Sequence, residues 1–373
     1  MNRPSPQLTE KIDNLTKSNK SFALYRLPWT ETPLLVMQEE GFPESVPGLN
    51  GLNGKKGFII SPFHITEKHP VIIIRPDITA SGWEDIENRI AHLEYTELEE
   101  ENTNNEIYDD ESVLKENYIS TFLKFIAPLK CNDFKKLVLS RKAQYRLEDN
   151  FSPLNAFYTA CNNYPRMMIS LTHTPVSGTW IGSTPEIILS GNGNEWRTVS
   201  LAGTMPMNGN TVPENWTEKN REEQDLVSCY IKKILKKISK EVTINGPYTV
   251  QAGQLAHLKT DFKFYIKKSD KLGNILEALY PTPAICGLPK ESAYRFIIDN
   301  EGYDRGYYSG IIGWMDNEGD TNLYINLRCV NISGSCATYY AGGGILPLSD
   351  ATSEWEETQH KMNTMRRCLN ENV

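Results

Sequence analysis

The first part of the chain alternates short apolar runs with Pro, Gly and charged residues. The runs are FALYRLPW (22–29), PLLVMQ (33–38), GFIISPF (57–63) and PVIIIRP (70–76). Runs of this length between turn-forming residues are typical of β-strands. We therefore predict that residues 1 to about 95 form a mixed strand-and-turn region, one structural half of a sheet.

Two segments carry apolar residues at helical spacing instead. Residues 112–129 place an apolar face on Tyr118, Phe122, Phe125 and Ile126. Residues 214–240 predict a long helix, and Glu223 continues its apolar line one turn earlier, so this carboxylate is expected to point toward the core and to need a partner. The apolar line of the long helix is Leu226, Val227, Tyr230, Ile231, Ile234 and Leu235.

Further strands are predicted between and after these helices. KKLVLSRKAQYRL (135–147) enters the core, and MMISLT (167–172) with GTWIGSTPEIILSG (178–191) reads as a hairpin-like pair. TVSLAGTMP (198–206) predicts a strand ending in Gly203, and HLKTDFKFYI (257–266) predicts another strand. Irregular alternation with adjacent hairpin strands favours an α+β fold with large antiparallel sheets over a doubly wound parallel fold.

Composition narrows the class of protein. The 373 residues are 39% hydrophobic and 23% charged, as in ordinary globular proteins. The net charge of -8 argues against nucleic acid or an anionic membrane as the main partner. We find no apolar run near the roughly 20 residues of a membrane span and no secretory signal in MNRPSPQLTEKIDNLTK. Seven scattered cysteines favour reduced thiols, and hence a cytoplasmic location.

Other polar features are weaker signals. Residues 97–112, ELEEENTNNEIYDDES, predict a solvated acidic linker. The six histidines lie at no zinc-ligand spacing to a cysteine, which argues against a structural zinc site.

Three residues are candidates for chemistry in the middle of the chain. Lys136 precedes an apolar strand, where a partly desolvated lysine is suited to act as a general base, although a strand-end charge that reaches solvent is the commoner case. Glu186 abuts the apolar strand 187–189, so it is either a general acid with a raised pKa or a carboxylate facing water. His257 alone is more often structural than catalytic.

The C-terminal run from Leu279 to Lys361 gathers glycines, an arginine and carboxylates beyond what a core needs. The glycines at 342–344 allow a close approach of the backbone to a ligand. A helix is predicted to begin at Ser353 as its N-cap, with Glu356 three residues later. Glu354, Glu357 and Lys361 then share one face of that helix.

Six motifs follow one another along the chain: KLVLSR, STPEIIL, LAGT, PTPAICGLP, AGGGI and EWEET. With these motifs in this order, the chain resembles the chorismate-utilising enzymes, and within them the isochorismate synthases. The resemblance covers about residues 112–370. It implies a single domain over 1–373, in which 1–111 is the less recognisable half and 112–370 the catalytic core. Two large antiparallel sheets would stack as a sandwich, with helices outside and the site in a cleft between the sheets.

The resemblance also implies roles for individual residues. Lys136 would be the base that activates water, and Glu186 the acid for the departing ring hydroxyl. Mg²⁺ would be held by Glu223 and Glu357, with Glu354 as a supporting or water-mediated ligand. Substrate-binding positions would be Gly203, Thr204, His257, Ala284, Tyr308, Arg328, Gly342, Gly344 and Lys361.

Within this family, several activities compete. Lys136 argues against an anthranilate synthase, which normally lacks the water-activating lysine, and Ala202 stands where one type of aminodeoxychorismate synthase carries a nucleophilic lysine. A salicylate synthase shares the lysine and the glutamate, but Ala284 in place of threonine favours an isochorismate synthase. A chorismate-binding protein without turnover is a further alternative.

The chain also departs from the family pattern. Tyr280 and Gln224 stand where histidines are common, and Asn220 replaces an acidic residue near the metal. The replacements at Gln224 and Asn220 bear on metal affinity. The expected substrate is chorismate, the expected cofactor Mg²⁺ and the expected state a monomer. The product would feed menaquinone, catechol siderophore or salicylate synthesis.

Overall fold

The computed structural model describes residues 1–98, 110–207, 211–213, 215–267 and 271–369. Its strands are β1 (Ser21–Arg26), β2 (Leu34–Gln38), β3 (Glu44–Val46), β4 (Gly57–Ile60), β5 (Val71–Ile74), β6 (Ile78–Ser81), β7 (Lys136–Arg146), β8 (Met168–Thr174), β9 (Gly178–Thr184), β10 (Ile187–Asn192), β11 (Glu195–Pro206), β12 (Val242–Ala252), β13 (Leu255–Tyr265), β14 (Gly287–Leu288), β15 (Ile311–Met315), β16 (Thr321–Ile325), β17 (Cys329–Ser333) and β18 (Cys336–Ile345).

These strands form two sheets, each of nine strands within the described residues. The first sheet has the order β14-β7-β18-β17-β9-β8-β1-β2-β6, and the second has the order β12-β13-β11-β10-β16-β15-β4-β5-β3. The strand pairs in both sheets are antiparallel, from hairpins such as β8–β9 to long-range pairs such as β7–β18. The predicted α+β class with two large antiparallel sheets is therefore confirmed.

Helices cover the outer faces of the two sheets. They are α1 (Pro6–Leu15), α2 (Trp83–Ile90), α3 (Glu111–Lys130), α4 (Pro153–Asn163), α5 (Glu218–Ile238), α6 (Leu272–Leu279), α7 (Lys290–Asn300) and α8 (Ala351–Leu369). One core lies between the first sheet and α1, α2, α4 and α8, and another lies between the second sheet and α5 and α6. A third, aromatic core joins the inner faces of the two sheets. In the described residues, no helix combines the length and the apolar character that crossing a bilayer requires.

Most of the predicted elements are present, but five of the helices described above, α1, α2, α4, α6 and α7, were not predicted. The four N-terminal runs became β1, β2, β4 and β5, and the helix predicted over 112–129 is α3. Helix α1 was overlooked although Leu8, Ile12 and Leu15 bury one face at helical spacing, and Ser5 caps its N-terminus. Residues 99–109 of the predicted acidic linker lie outside the described residues.

The predicted hairpin-like pair of 167–172 with 178–191 is confirmed for β8 and β9, but the second segment does not form a single strand. It contains β9 in the first sheet and β10 in the second, so the chain crosses between the sheets at Pro185 and Glu186. A proline cannot donate a ladder hydrogen bond and favours a break in a strand. The crossing places Glu186 between the two layers rather than along an edge.

Two boundaries also differ from the prediction. Strand β11 does not end at Gly203 but continues to Pro206 through an irregularity between Ala202 and Thr204, where Gly203 has φ +71°. An extra residue in one strand with left-handed backbone angles forms a β-bulge, and glycine adopts these angles without strain. Helix α8 starts earlier than expected, since Asp350 rather than Ser353 acts as the cap and accepts hydrogen bonds from Ser353 N and Oγ.

Candidate active site

A cleft lies between the two sheets. Strands β7 and β18 of the first sheet and β11 and β13 of the second supply its walls, together with the crossing at Glu186 and the turns around 284 and 308. All nine predicted substrate-binding positions line it: Gly203, Thr204, His257, Ala284, Tyr308, Arg328, Gly342, Gly344 and Lys361. The structure thus brings together nine positions that spread over the sequence from Gly203 to Lys361, 158 positions apart.

Lys136 is the first residue of β7, and its side chain lies inside the protein. It is 0% exposed, so the alternative of a strand-end lysine that reaches solvent is wrong. Its Nζ lies 2.9 Å from Oε1 of Glu223, which α5 presents from the second sheet's side. Burial alone would raise the pKa of Glu223, but the ion pair with Lys136 and the neighbouring lysine charges outweigh burial and lower it.

Glu186 is 3% exposed and lines the cleft, so the alternative of a carboxylate facing bulk water is wrong. Burial raises its pKa to about 7, against the opposing effect of nearby cations that include Lys136. A carboxyl group with this pKa holds a proton in a large fraction of molecules near neutral pH. Such a group can donate that proton to a departing oxygen.

Three glutamates converge on the glycine segment of β18. A methyl group built on Gly343 would lie 3.0 Å from Oε2 of Glu354 and 3.4 Å from Oε1 of Glu357. A methyl group on Gly344 would lie 2.1 Å from Oε1 of Glu223. At Gly343 and Gly344 only glycine leaves room for the carboxylates, which explains the glycines of the AGGGI motif.

Each of these glutamates has a lysine partner. Lys136 pairs with Glu223, Lys361 Nζ lies 2.7 Å from Glu357 Oε1, and Lys219 contacts Glu354 Oε1. Burial and the adjacent Glu357 raise the pKa of Glu354 to about 7, although Lys219 opposes this. Among the described residues, no three His, Cys, Asp or Glu side chains are already arranged around a common metal position.

The glutamates nevertheless fit a hard divalent cation. Glu354 Oε2 is buried and accepts no hydrogen bond within the part of the chain described here. A buried carboxylate oxygen without a partner is costly, and a cation would satisfy it. Carboxylate oxygens from two helices, completed by substrate and water, are the donor set that Mg²⁺ prefers.

Arg328 and His257 form one end of the cleft. Arg328 has φ +47°, donates from Nη1 to Ala252 O at 2.8 Å, and contacts Nε2 of His257 through Nη2. Burial lowers the pKa of Arg328 to about 10, so it remains a cation near neutral pH. Burial and this cation hold the pKa of His257 well below its usual value. The neutral imidazole donates from Nδ1 to Gly203 O at 3.1 Å and accepts from Arg328.

An aromatic stack supports Tyr308 at the same end. Its ring stacks on Tyr340 with centroids 5.3 Å apart and an interplanar angle of 15°. Tyr340 in turn stacks on Trp180 at 5.5 Å. Stacks of this kind restrict ring orientation, so the wall beside Arg328 is fixed by the core between the sheets.

The residue patterns did not identify several residues of the site. Lys219 lies four residues before Glu223, so helical spacing could have placed it on the same face. Gln224 is fully buried, accepts from Ala202 N at 2.9 Å, and donates to Ser200 Oγ at 2.8 Å and Thr260 Oγ1 at 3.0 Å. It therefore fastens α5 to the bulge of β11. Apolar walls that carry no sequence signal of chemistry are Val138, Leu201, Ile285 and Leu327.

Comparison with known proteins shows what the chain is similar to. A family model described as chorismate binding enzyme matches residues 58–370. The isochorismate synthase EntC of Escherichia coli is 30% identical over 203 residues, 52% of each chain. The vibriobactin-specific isochorismate synthase of Vibrio cholerae is 31% identical over 195 residues, 50% of this chain and 49% of that protein. The chain thus spans about half the length of these curated relatives.

A solved structure shows the likeness of fold. The menaquinone-specific isochorismate synthase MenF of Escherichia coli superposes with a TM-score of 0.77. The superposition covers 99% of this chain and 92% of that one, at 19% sequence identity. The shared architecture therefore includes the N-terminal strands, where sequence resemblance is weak.

Proposed function

The chain belongs to the family of chorismate-binding enzymes, and from that premise we propose that it is a magnesium-dependent isochorismate synthase. The reaction adds water at C2 of chorismate while the C4 hydroxyl leaves, and the ring double bonds shift between them. One water is consumed and one is released, so the reaction is an isomerisation. It requires a base for the entering water and an acid for the leaving hydroxyl.

The observation that carries the proposal is that a fully buried lysine, Lys136, acts electrostatically on Glu186, a buried carboxyl group that lines the cleft. We assign Lys136 as the base that accepts a proton from the water that attacks C2. Glu186, whose pKa burial raises to about 7, gives its proton to the C4 hydroxyl, which leaves as water. The other reading, a binding protein without turnover, gives no reason to bury either group.

The charge of the cleft suits a dianionic substrate. Arg328 and Lys361 line it together with Tyr308, and a guanidinium is suited to bidentate contact with a carboxylate. We assign the enolpyruvyl carboxylate to these three residues. Near neutral pH the partial protonation of Glu186 leaves the cations of the cleft in excess over its carboxylates, which favours an anionic ligand.

The ring carboxylate is assigned to the glutamate cluster, where Glu223, Glu354 and Glu357 surround the glycine segment. Bound there, Mg²⁺ would neutralise and orient that carboxylate. Gly343 and Gly344 admit the carboxylates close to the backbone, and Lys136 extends beneath them. This arrangement sets the ring between the base and the acid.

The relatives named for vibriobactin and menaquinone suggest where the product goes. We propose that the isochorismate made here enters menaquinone or catechol siderophore synthesis. Both routes begin from the same compound, so the cleft itself does not distinguish them.

A product assay tests the proposal. Purified protein is incubated with chorismate and Mg²⁺, with EDTA and ammonium arms in parallel, and the products are separated by chromatography. Isochorismate without pyruvate, abolished by EDTA, is the expected result. Salicylate with pyruvate would instead show a salicylate synthase, and anthranilate formed only with ammonium would overturn the role of Lys136. No product under any condition would refute an enzymatic function.

A further inference from the structure

Glu301 and Arg305 form a buried ion pair behind the cleft. Glu301 caps the end of α7, and Arg305 follows four residues later. Arg305 Nε lies 2.6 Å from Glu301 Oε2, and Nη2 lies 2.7 Å from Oε1, with the two side chains 2% and 1% exposed. Neither residue lines the cleft. A buried ion pair is a weak source of stability, since an apolar replacement of similar volume often stabilises a protein equally well.

The remaining hydrogen bonds of this pair go to the strand that carries Lys136. Arg305 Nη2 donates to Val138 O at 3.0 Å. Glu301 Oε1 accepts from Ser140 N at 2.7 Å and from Ser140 Oγ at 2.8 Å. Alternate residues of a strand turn their N–H and C=O groups to the same side, so both contacts lie on one edge of β7.

That edge is where the partner strand stops. Strand β14 pairs with β7 at Lys136 and Leu137, and Val138 N then donates to Cys286 O at 2.6 Å. Beyond this point Arg305 and Glu301 take up Val138 O and Ser140 N. Two charged side chains thus continue the ladder from the position where β14 ends.

The same guanidinium also reaches the turn opposite β7. Arg305 Nη1 donates to Ile285 O at 2.9 Å. Both Val138 and Ile285 line the cleft, and Ala284 beside Ile285 lines it as well. The Arg305 guanidinium therefore sets the spacing between β7 and the 284–286 turn, two backbone segments that form walls of the cleft. The guanidinium also packs over the ring of Phe63, 4.2 Å from its centroid.

We infer that Glu301 and Arg305 are positioning residues of the reaction: the pair holds β7, and with it Lys136, at a fixed distance from the 284–286 turn. This inference rests on the proposed function. Catalytic groups placed by a rigid support lose rate steeply when that support shifts, even though substrate affinity is set elsewhere. Here affinity is assigned to Arg328 and Lys361, and within the described residues Arg305 and Glu301 hydrogen-bond to other partners.

The test compares Arg305→Lys with Arg26→Lys. Lysine at 305 keeps the charge opposite Glu301 but cannot donate to Ile285 O and Val138 O together. Arg26 is an equally buried arginine that donates to four backbone carbonyls, and none of these residues lines the cleft. The four are Leu27, Cys161, Tyr164 and Pro165. It controls for the loss of stability that either replacement causes.

In Arg305→Lys we expect kcat to fall about tenfold or more while the KM for chorismate changes by less than about threefold. Arg26→Lys should leave both constants near those of the native protein in the folded fraction. A kcat of Arg305→Lys within about twofold of the native value, or an equal fall in Arg26→Lys, would show that the pair serves stability alone.

Two further measurements keep the inference open to refutation if Arg305→Lys does not fold. Glu301→Gln retains an acceptor for Ser140 but removes the charge, and it should lower kcat in the same way; an unchanged kcat overturns the inference. Hydrogen exchange in the native protein should show Ser140 N–H protected as strongly as the amides of β7 that pair with β18. Absence of product from the native protein would refute the proposed function instead, and that outcome is distinguishable from all of these.

Discussion

The side-chain nitrogen of Lys136 lies 2.9 Å from Oε1 of Glu223, and Glu223 lines the cleft while Lys136 is fully buried. The pair links β7 of the first sheet to α5 of the second layer. It places the candidate base directly beside a candidate metal ligand.

The first prediction concerns the base. We expect Lys136→Met to lower turnover of chorismate by about 10²-fold or more, since a positioned base contributes on this scale. Magnesium-dependent binding of chorismate should persist because Arg328 and Lys361 are unchanged. Steady-state kinetics and calorimetric binding check the two parts. The exposed neighbour Lys135→Met is the matched control, and native turnover in Lys136→Met would contradict the assignment.

The second prediction concerns the acid and its pH dependence. Because burial raises the pKa of Glu186 to about 7, the protonated form required of an acid is lost as pH rises through that value. Turnover should therefore fall on the alkaline side of about pH 7. Glu186→Gln should abolish most of the activity at every pH. A pH profile of kcat that stays flat from pH 6 to about 9 would exclude Glu186 as the group that titrates.

The same shift predicts a change in stability. A carboxyl whose folded-state pKa is raised stabilises the fold fully below its unfolded pKa near 4.5, and that contribution is lost as pH rises to about 7. Glu186→Gln carries no such charge. At pH 8 it should be more stable than the native protein by about 1–3 kcal/mol, and at pH 4 the difference should shrink. Urea unfolding at the two pH values measures this.

The third prediction concerns the metal. In Glu357→Gln the Mg²⁺ concentration that half-saturates the protein should rise about tenfold or more, because one charged oxygen ligand is lost. The readout is the Mg²⁺-dependent rise in melting temperature, which does not depend on activity. Glu356→Gln, an exposed position on the same helix, should titrate like the native protein. Equal Mg²⁺ affinity in both variants would remove Glu357 from the metal site.

The fourth prediction concerns the glycine segment. A methyl group at Gly344 would lie 2.1 Å from Glu223 Oε1 and 2.7 Å from Lys136 Cε. Gly344→Ala should therefore displace this ion pair and lower turnover at least about tenfold, with a loss of about 1–3 kcal/mol in stability from overpacking. In Gly48→Ala the nearest atom is the flexible Asn50 Oδ1 at 3.2 Å, so this control should stay active.

The fifth prediction concerns Gln224. Its replacement by leucine leaves Ala202 N–H buried without the 2.9 Å hydrogen bond it now donates, at a cost of about 1–3 kcal/mol. The bulge at Gly203 should loosen, and kcat should fall. Ser228→Ala, one helical turn later, removes contacts to Ser200 and Thr260 only and should affect stability alone. Equal kinetics in the two variants would rule out a role for the Ala202 contact.

Local sequence patterns determined many of the secondary-structure elements of this protein. Short apolar runs between turn-forming residues predicted β1, β4 and β5, and the apolar face of 112–129 predicted α3. Such patterns are readable from the sequence because the direction of each side chain follows from its position within its own strand or helix. The motifs from Lys136 to Lys361 predicted nine substrate-binding positions, and the cleft brings all nine together. Spacing on one helix face also predicted that Glu223 points inward, and it is 8% exposed.

Only the tertiary structure decided how those residues are presented. Whether Lys136 reaches solvent or is fully buried depends on β18 and α5, and β18 is about 200 residues distant in sequence. The crossing of the chain at Glu186, the partners Lys219 and Gln224, and the edge of β7 held by Glu301 and Arg305 likewise arise from contacts between distant segments. Burial and charge pairing are properties of the assembled layers, so the pKa of Glu186 is set by them and not by its neighbours in the chain.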